Sequence, residues 1–530
     1  MKIYDNVSPL DYRYYAGDEK FFERLKPYVS EEAFIKYQLK VERTLIYALF
    51  DLGICSSQVA DEVRKACDQT TAEEVYKEEE KIQHIVRALA NSIKRKVSPE
   101  AQRFVHLFAT SADITDTANA LRLQELTRDI ILPDLIQLQK TLIKIARDYA
   151  QVVQIGRTHG KHAEPITFGF AMASYVSRIG SRIKSIENAR QNLRGKFSGA
   201  VGAYNALSLP FPKAPHLFEK LLLAYLGLQP TDTSISTQIV EPEYQTDLVY
   251  AIISCFSVLA NLADDIRHLH RTEIAEVQEK YKETVVGSST MPHKVNPKNF
   301  EHVKSMWKEF MPRMITSFMD QISEHQRDLT NSASGRFITE LFTAFDYSIV
   351  RLTDALKGIQ IATDKMRENL RMSKDSIIAE PLYILLALNG YANAYNYVRA
   401  LISNTHDNGK KLSEMIWEDK EIKPFLEKLR EEHKAILRDP SKYIGHSYER
   451  TIVTCDEWEK RATSLSKYLE EEAQLLQTIK VERFHELYRH LEAAEKGMLP
   501  EPWRKVSTEP RRRFIKAWIE EQQFREKLGE

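Results

Sequence analysis

Residues 287–301 read GSSTMPHKVNPKNFE, the densest run of polar chemistry in the chain. Ser288 and Ser289 follow Gly287. Thr290, Met291 and Pro292 lead to His293, Lys294 and Asn296, and a second proline, Pro297, precedes Glu301. The glycine and the prolines interrupt a continuous helix. The stretch is therefore expected to be an exposed loop that re-enters a helix near Pro297, since proline suits a helix's first turn. On composition alone it is also an ordinary Ser/Pro-rich surface loop.

Long apolar stripes flank it. Leu135, Leu138, Leu142, Ile145 and Tyr149 form one; Leu248, Ile252, Cys255, Leu259, Leu262, Ile266 and Leu269 a second; Ile338, Leu341, Phe345, Ile349, Leu352, Leu356 and Ile359 a third. Spacings of three and four residues are the pattern of packed helices, and stripes this far apart in sequence predict one long bundle. Near-continuous hydrophobicity over 248–263 implies burial on more than one side. The expected fold is all-α with three helical domains: an N-terminal domain over 1–108, a central long-helix bundle over 109–363 and a C-terminal domain over 364–477. A charged C-terminal helical extension, 478–530, follows.

Composition narrows the function. The 530 residues carry 75 basic and 75 acidic side chains, so net charge gives no argument for nucleic acid or an anionic membrane. Four cysteines (Cys55, Cys67, Cys255, Cys455) lie far apart without CxxC spacing, as expected of reduced thiols in a cytoplasmic protein. The N-terminus has no apolar core of a signal peptide. The uncharged run between Asp247 and Asp264 is shorter than the roughly 20 residues needed to cross a bilayer, and reads as a buried core helix.

Polar residues collect where the helical pattern breaks. Arg13 and Tyr14 pair a guanidinium with a phenol, both able to bind a phosphate. His84 begins an amphipathic helix. Thr110 and Ser111 sit at an N-cap, where a helix attracts anions. In QIGRTHGKHAEPITFGF, Gly156, Gly160 and Pro165 break the helix around Arg157, Thr158, His159, Lys161 and His162. The two histidines lack a third ligand of suitable spacing, so no metal is expected. Arg327, Ser332, Ser334 and Arg336 bring two guanidiniums and two hydroxyls into ten residues, a set that suits a phosphate.

The 287–301 stretch resembles the GSSxMPxKxNP signature loop of the fumarase/aspartase superfamily. His293 before the lysine, the GRTHGKHAEPIT block, GAVGAYNA, RDLTNSASGR and the opening SPLDYRY together resemble its adenylosuccinate lyase family. The resemblance runs from Ser8 to Arg336, with weaker support to about residue 477. It implies a homotetramer with active sites shared between subunits and a small-molecule nucleotide substrate. It also implies β-elimination of fumarate from an N-succinyl group, with no metal or organic cofactor. Ser289 is implied as the base and His159 as the acid, oriented by Glu301. Lys294 and Asn296 would hold the substrate carboxylate and its developing charge, and Thr290 would bind substrate. Thr110, Ser111 and Gln238 would bind substrate with help from His84 and His106. Arg13, Tyr14, Arg327, Ser332 and Arg336 would bind phosphate. Three places depart from the family pattern: Ile85 stands where an Asp is expected, His302 where an Asn is expected, and the usual Gln of the GRTH block is matched only approximately, with His162 in its neighbourhood. A related lyase acting on another N-succinyl compound, or a catalytically silent scaffold, are the alternative readings.

Overall fold

Capping residues set the boundaries of the first helices. Asp18, Ser30, Ser56 and Thr71 each accept a backbone N–H in the turn that follows, opening α1 (Glu19–Val29), α2 (Glu31–Asp51), α3 (Ser57–Gln69) and α4 (Ala72–Ile82). Then come α5 (Ile85–Lys94) and the one-turn α6 (Pro99–Gln102). The computed structural model describes residues 5, 7–280, 287–323, 325–328, 330–373, 376–408 and 411–479. The expected extension beyond residue 479 lies outside the described residues. Ahead of α1, residues Leu10–Ala16 wind as a π-helical turn rather than the loop their polar and aromatic composition suggested.

The bundle follows. α7 (Ser111–Leu126) runs through a π-helical stretch, Thr127–Ile131, into α8 (Leu132–Asp148). The glycine-broken segment after it is not a loose break but a β-hairpin, β1 (Val153–Thr158) and β2 (Lys161–Thr167). α9 (Phe168–Gln191), α10 (Pro215–Tyr225) and the 27-residue α11 (Glu243–Leu269) come next. After the two-residue β3 (Val277–Gln278) and the signature stretch, α12 (Lys298–Phe310) and α13 (Arg313–Met319) run back along α11. Trp307 Nε1 donates to Ser257 Oγ (2.9 Å), and Thr246 and Ser317 share a hydroxyl bond (3.0 Å). α14 (Ile338–Lys357) closes the bundle, and β4 (Gln360–Ile361) pairs with β3. The three stripes run along α8, α11 and α14, and their residues are buried except for the partly buried Tyr149, Leu269, Ile338 and Ile359 at the stripe ends. α11 is long and apolar enough to cross a membrane, yet 72% of its apolar window is buried inside the fold.

α15 (Thr363–Met372) leads to a smaller unit: α16 (Ala379–Leu388), α17 (Ala394–Asn408), α18 (Leu412–Glu418), α19 (Lys423–Glu427) and α20 (Glu431–Arg438). Ile378, Leu382, Ile416, Ile422, Leu426 and Leu437 build its separate core. The last helix among the described residues, α21 (Ser447–Ile479), returns to the main core through Cys455, Ala462 and Leu469. Arg190 on α9, fully buried, binds Glu187 and Glu472 (2.7 Å each) and fastens it there.

Candidate active site

The expected site residues occupy two regions at opposite ends of α11, which is about 40 Å long at 1.5 Å per residue. At its N-terminal end, Val240 N–H donates to Asp116 (3.1 Å), and Asn119 donates to Gln245 (2.8 Å). These bonds bring the start of α7 beside the segment carrying Gln238. Thr110 caps α7, and its backbone N–H returns to Asp113 (2.9 Å) in a capping box. Ser111 is the first helical residue.

Asp113 is the keystone of this end. Fully buried, it takes an ion pair from Lys196, itself 0% exposed, and backbone N–H bonds from Ser198 (3.1 Å) and Gly199 (3.2 Å). Ser198 then meets Ser236 (2.7 Å), two residues from Gln238. Gly202, at φ +76°, packs so tightly that a Cβ would lie 2.0 Å from the Ser236 carbonyl oxygen. One carboxylate thus locks the Thr110–Ser111 turn, the 196–204 loop and the approach to Gln238 into one unit. His106 flanks it at φ +62° and donates from Nδ1 to the buried Glu42 (2.6 Å). Burial opposes the charged ring, but the Glu42 bond and charge outweigh it and raise its pKa above the usual value. His84 caps α5, accepting Arg87 N–H at Nδ1 (3.2 Å), which leaves the proton of the neutral ring on Nε2.

Gln238 N–H donates to the Gln326 carbonyl (3.4 Å), so the Arg/Ser segment reaches the same end. Arg327 is half-buried and its Nη1 is a buried donor without an acceptor among the described residues. Ser334, on the turn Ser334–Phe337, is held by Asp320 (2.7 Å), while Ser332 and Arg336 are exposed. A buried guanidinium donor on a segment that also carries an exposed serine and a second, exposed guanidinium suits an anion.

The other end carries the acid–base candidates. His159 and Gly160 form the hairpin's two-residue turn, both with positive φ (+54° and +74°), the signature of the tight type I′ connection. Gly156 is obligatory below it, because a Cβ would lie 2.4 Å from the Glu164 carbonyl oxygen. The fully buried Glu276 anchors β1, accepting from Gln154 (2.7 Å) and pairing with Arg157 (2.7 Å) and Asn369 (2.8 Å). His162 bonds to Ser373 (2.6 Å), and burial and then Arg157 lower its pKa. His159 itself is exposed and makes no hydrogen bond among the described residues.

The signature stretch is an open loop, as expected, and α12 starts directly after Pro297. Ser288 Oγ accepts Met291 N–H (3.0 Å), and Asn296 donates to the Gly287 carbonyl (3.0 Å). Ser289, Thr290 and Lys294 are exposed. Glu301 faces Arg267 (3.9 Å) and stays half-exposed, at 51%, rather than meeting His159. Arg13 is exposed nearby on the π-helical turn; Tyr14 packs on His302 and Tyr347.

Asp113, Lys196 and Glu276 escaped the sequence reading. The Thr110–x–x–Asp113 capping box was a usable signal for the first; a buried lysine and a glutamate behind a hairpin carry none.

Comparison with known proteins settles the family. Residues 19–311 match the lyase family model, and residues 323–444 match the adenylosuccinate lyase C-terminal model. The adenylosuccinate lyase of Pyrococcus abyssi is 33% identical over 464 residues, covering 86% of this chain and 99% of the relative. That of Aquifex aeolicus is 32% identical over 403 residues, covering 75% and 90%. That of Thermotoga maritima is 30% identical over 435 residues, covering 80% and 97%. Among solved structures, a 3-carboxy-cis,cis-muconate lactonizing enzyme from Pseudomonas putida superposes with TM-score 0.71 at 22% identity, covering 84% of this chain and 99% of that one. A fumarate lyase from Mesorhizobium gives 0.71 at 23%, covering 82% and 97%. These two share the fold. Two family models spanning most of the chain, and relatives matched over nearly their whole length, place the chain in the adenylosuccinate lyase family.

Proposed function

We propose that the chain catalyses β-elimination of fumarate from adenylosuccinate, leaving AMP, and the same cleavage of succinylaminoimidazole carboxamide ribotide in purine biosynthesis, in the cytoplasm. The observation that carries this is the pairing of an exposed Ser-Lys-Asn loop and a hairpin-tip histidine with a separate Arg/Ser anion seat containing an unpartnered guanidinium nitrogen. Elimination needs a base at the carbon beside a carboxylate, an acid for the departing nitrogen, and donors for the charge that builds between them. Ser289 takes the proton, with Lys294, Thr290 and Asn296 stabilising the aci-carboxylate. His159 protonates the nitrogen. Thr110, Ser111 and Gln238 hold the succinyl group, with His84 and His106 beside them. Arg13, Tyr14, Arg327, Ser332 and Arg336 hold the phosphate.

This reading requires more than one chain. The Thr110–Gln238 region and the Ser289–Glu301 region lie at opposite ends of α11, and Glu301 faces Arg267 instead of His159 within a chain. A homotetramer with shared sites unites them. An exposed apolar stripe on and beside α13 supports it: Met311, Ile315 (60% exposed), Phe318, Met319 (67%) and Ile322 (78%) share the spacing of a helix-packing face. Purified protein supplied with adenylosuccinate is expected to release fumarate and AMP in equal amounts. Release of neither from folded, assembled protein rejects the substrate.

A further inference from the structure

Tyr14, His302 and Tyr347 form a closed cluster of three rings. Their centroids lie 5.2 Å (Tyr14–His302), 5.8 Å (His302–Tyr347) and 5.4 Å (Tyr14–Tyr347) apart, all tilted or edge-on. This is the geometry that aromatic rings favour over face-to-face stacking. Each ring belongs to a different element: Tyr14 to the π-helical turn Leu10–Ala16, His302 to α12 directly after Glu301, and Tyr347 to α14.

A hydrogen-bond chain continues from the rings. Arg351 donates from Nη1 to the Tyr347 hydroxyl (2.7 Å) and from Nε to Asn299 Oδ1 (2.9 Å). Asn299 donates in turn to Glu279, from its backbone N–H (3.2 Å) and its side chain (2.5 Å). Glu279 precedes the signature stretch, and Asn299 lies near its end, in the first turn of α12. The Arg13–Tyr14 turn is therefore fastened to the base of the segment that carries Ser289 and Lys294.

His302 contributes a ring to this cluster, not a hydrogen bond. Its Nε2 is buried with no partner among the described residues. Burial, and then the nearby Arg351 guanidinium, push its pKa down to about 4, so the ring is neutral at physiological pH.

We propose that His302 is a positioning residue that wedges Tyr14, and with it Arg13, into place for the substrate phosphate. This rests on the function proposed above. A smaller side chain at 302 leaves Tyr14 with one ring wall instead of two and lets the turn carrying Arg13 drift from α12.

The test uses the full-length protein with His302→Asn, which deletes the ring, and His302→Phe, which keeps a ring without nitrogens. Steady-state constants are measured with adenylosuccinate and with its phosphate-free counterpart, succinyladenosine. Calorimetric binding of AMP and of adenosine gives the same comparison without turnover. His302→Asn is expected to raise KM for adenylosuccinate and weaken AMP about tenfold, the scale of one or two lost ring contacts. It leaves kcat within about twofold and the phosphate-free ligands unchanged, and His302→Phe restores the parent values. Equal losses with and without phosphate, no loss at all, or a Phe variant as poor as the Asn variant overturns the proposal. If His302→Asn does not fold, Tyr347→Leu removes the opposite wall of Tyr14 and must give the same phosphate-dependent split. Parent protein that binds AMP but releases no fumarate rejects the proposed reaction while leaving the role of His302 open to the calorimetric readout.

Discussion

The two ends of α11 are built on opposite principles. At the N-terminal end, the groups around the Thr110–Ser111 turn are buried and paired: Asp113 satisfies Lys196 and three backbone N–H groups, and His106 is clasped by Glu42. At the C-terminal end, the side chains of Ser289, Lys294 and His159 stand in the open above bonded supports, Glu276 beneath the hairpin and Asn299 beneath the loop. The difference teaches which part of the proposed site a single chain pre-organises. The binding turn is finished within the chain. The groups proposed as acid and base are presented outward, which fits the proposed sharing of sites between subunits.

The sharpest way to break that contrast is at the exposed end. Ser289→Ala and His159→Ala are each expected to lower kcat by a factor on the order of 10²–10⁴, the usual contribution of a positioned base or acid. Neither change touches a buried contact, so thermal stability stays near the parent's. Mixing the two inactive proteins under subunit exchange then restores part of the activity, since some sites in a mixed assembly draw both intact residues. Proven exchange without recovery means that each site is made by one chain, and the outward-facing reading falls. Full activity in Ser289→Ala removes Ser289 as the base.

The buried end responds in the reverse sense. Asp113→Ala leaves the Lys196 ammonium buried without its partner, a change that costs about 3–5 kcal/mol when one member of such a pair is removed. It also frees the Thr110–Ser111 turn and the 196–204 loop together. Melting temperature is expected to fall markedly and KM to rise, with kcat at saturation far less affected than in Ser289→Ala. Adding Lys196→Met to Asp113→Ala removes the stranded charge and recovers part of the stability but not the KM. A KM that recovers with stability makes Asp113 a fold residue only.

Periodicity made the architecture legible. The stripes on α8, α11 and α14 are set by helical spacing alone, and Pro297 marks the start of α12 where its fixed φ suits a first turn. The hairpin at 153–167 was missed because Gly156 and Gly160 read as helix breakers. In the fold one allows a close strand approach and the other completes a positive-φ turn, roles that look alike in sequence. The return of α21 to the main core was equally hidden, since its amphipathic pattern fits any surface to be covered. The residues proposed for the site came from motif resemblance. That Glu301 turns to Arg267, and that His302 closes a ring cluster, depend on contacts between distant segments that no local pattern encodes.

The smallest effect separates two histidines of opposite character, one at the clasped end and one beside the loop. His106 has its pKa raised from 6.5, so its charged pair with Glu42 adds stability that is complete below about pH 6.5 and is lost as pH rises through the raised value. His302 has its pKa lowered to about 4, so its neutral burial adds stability that is complete above about pH 6.5 and is lost as pH falls towards 4. His106→Asn suits the positive φ at that position and removes the charge. The melting-temperature gap between parent and His106→Asn is therefore expected to be widest below pH 6.5 and to narrow towards pH 8.5. The gap for His302→Phe has the other sign of slope: acid weakens the parent, and the variant, with no ring nitrogen to protonate, overtakes it between pH 6.5 and pH 4.5. Parallel gaps across the whole range would mean that neither ring changes its protonation on folding, and the contrast between a charged clasp at one end and a neutral wedge at the other would have to be given up.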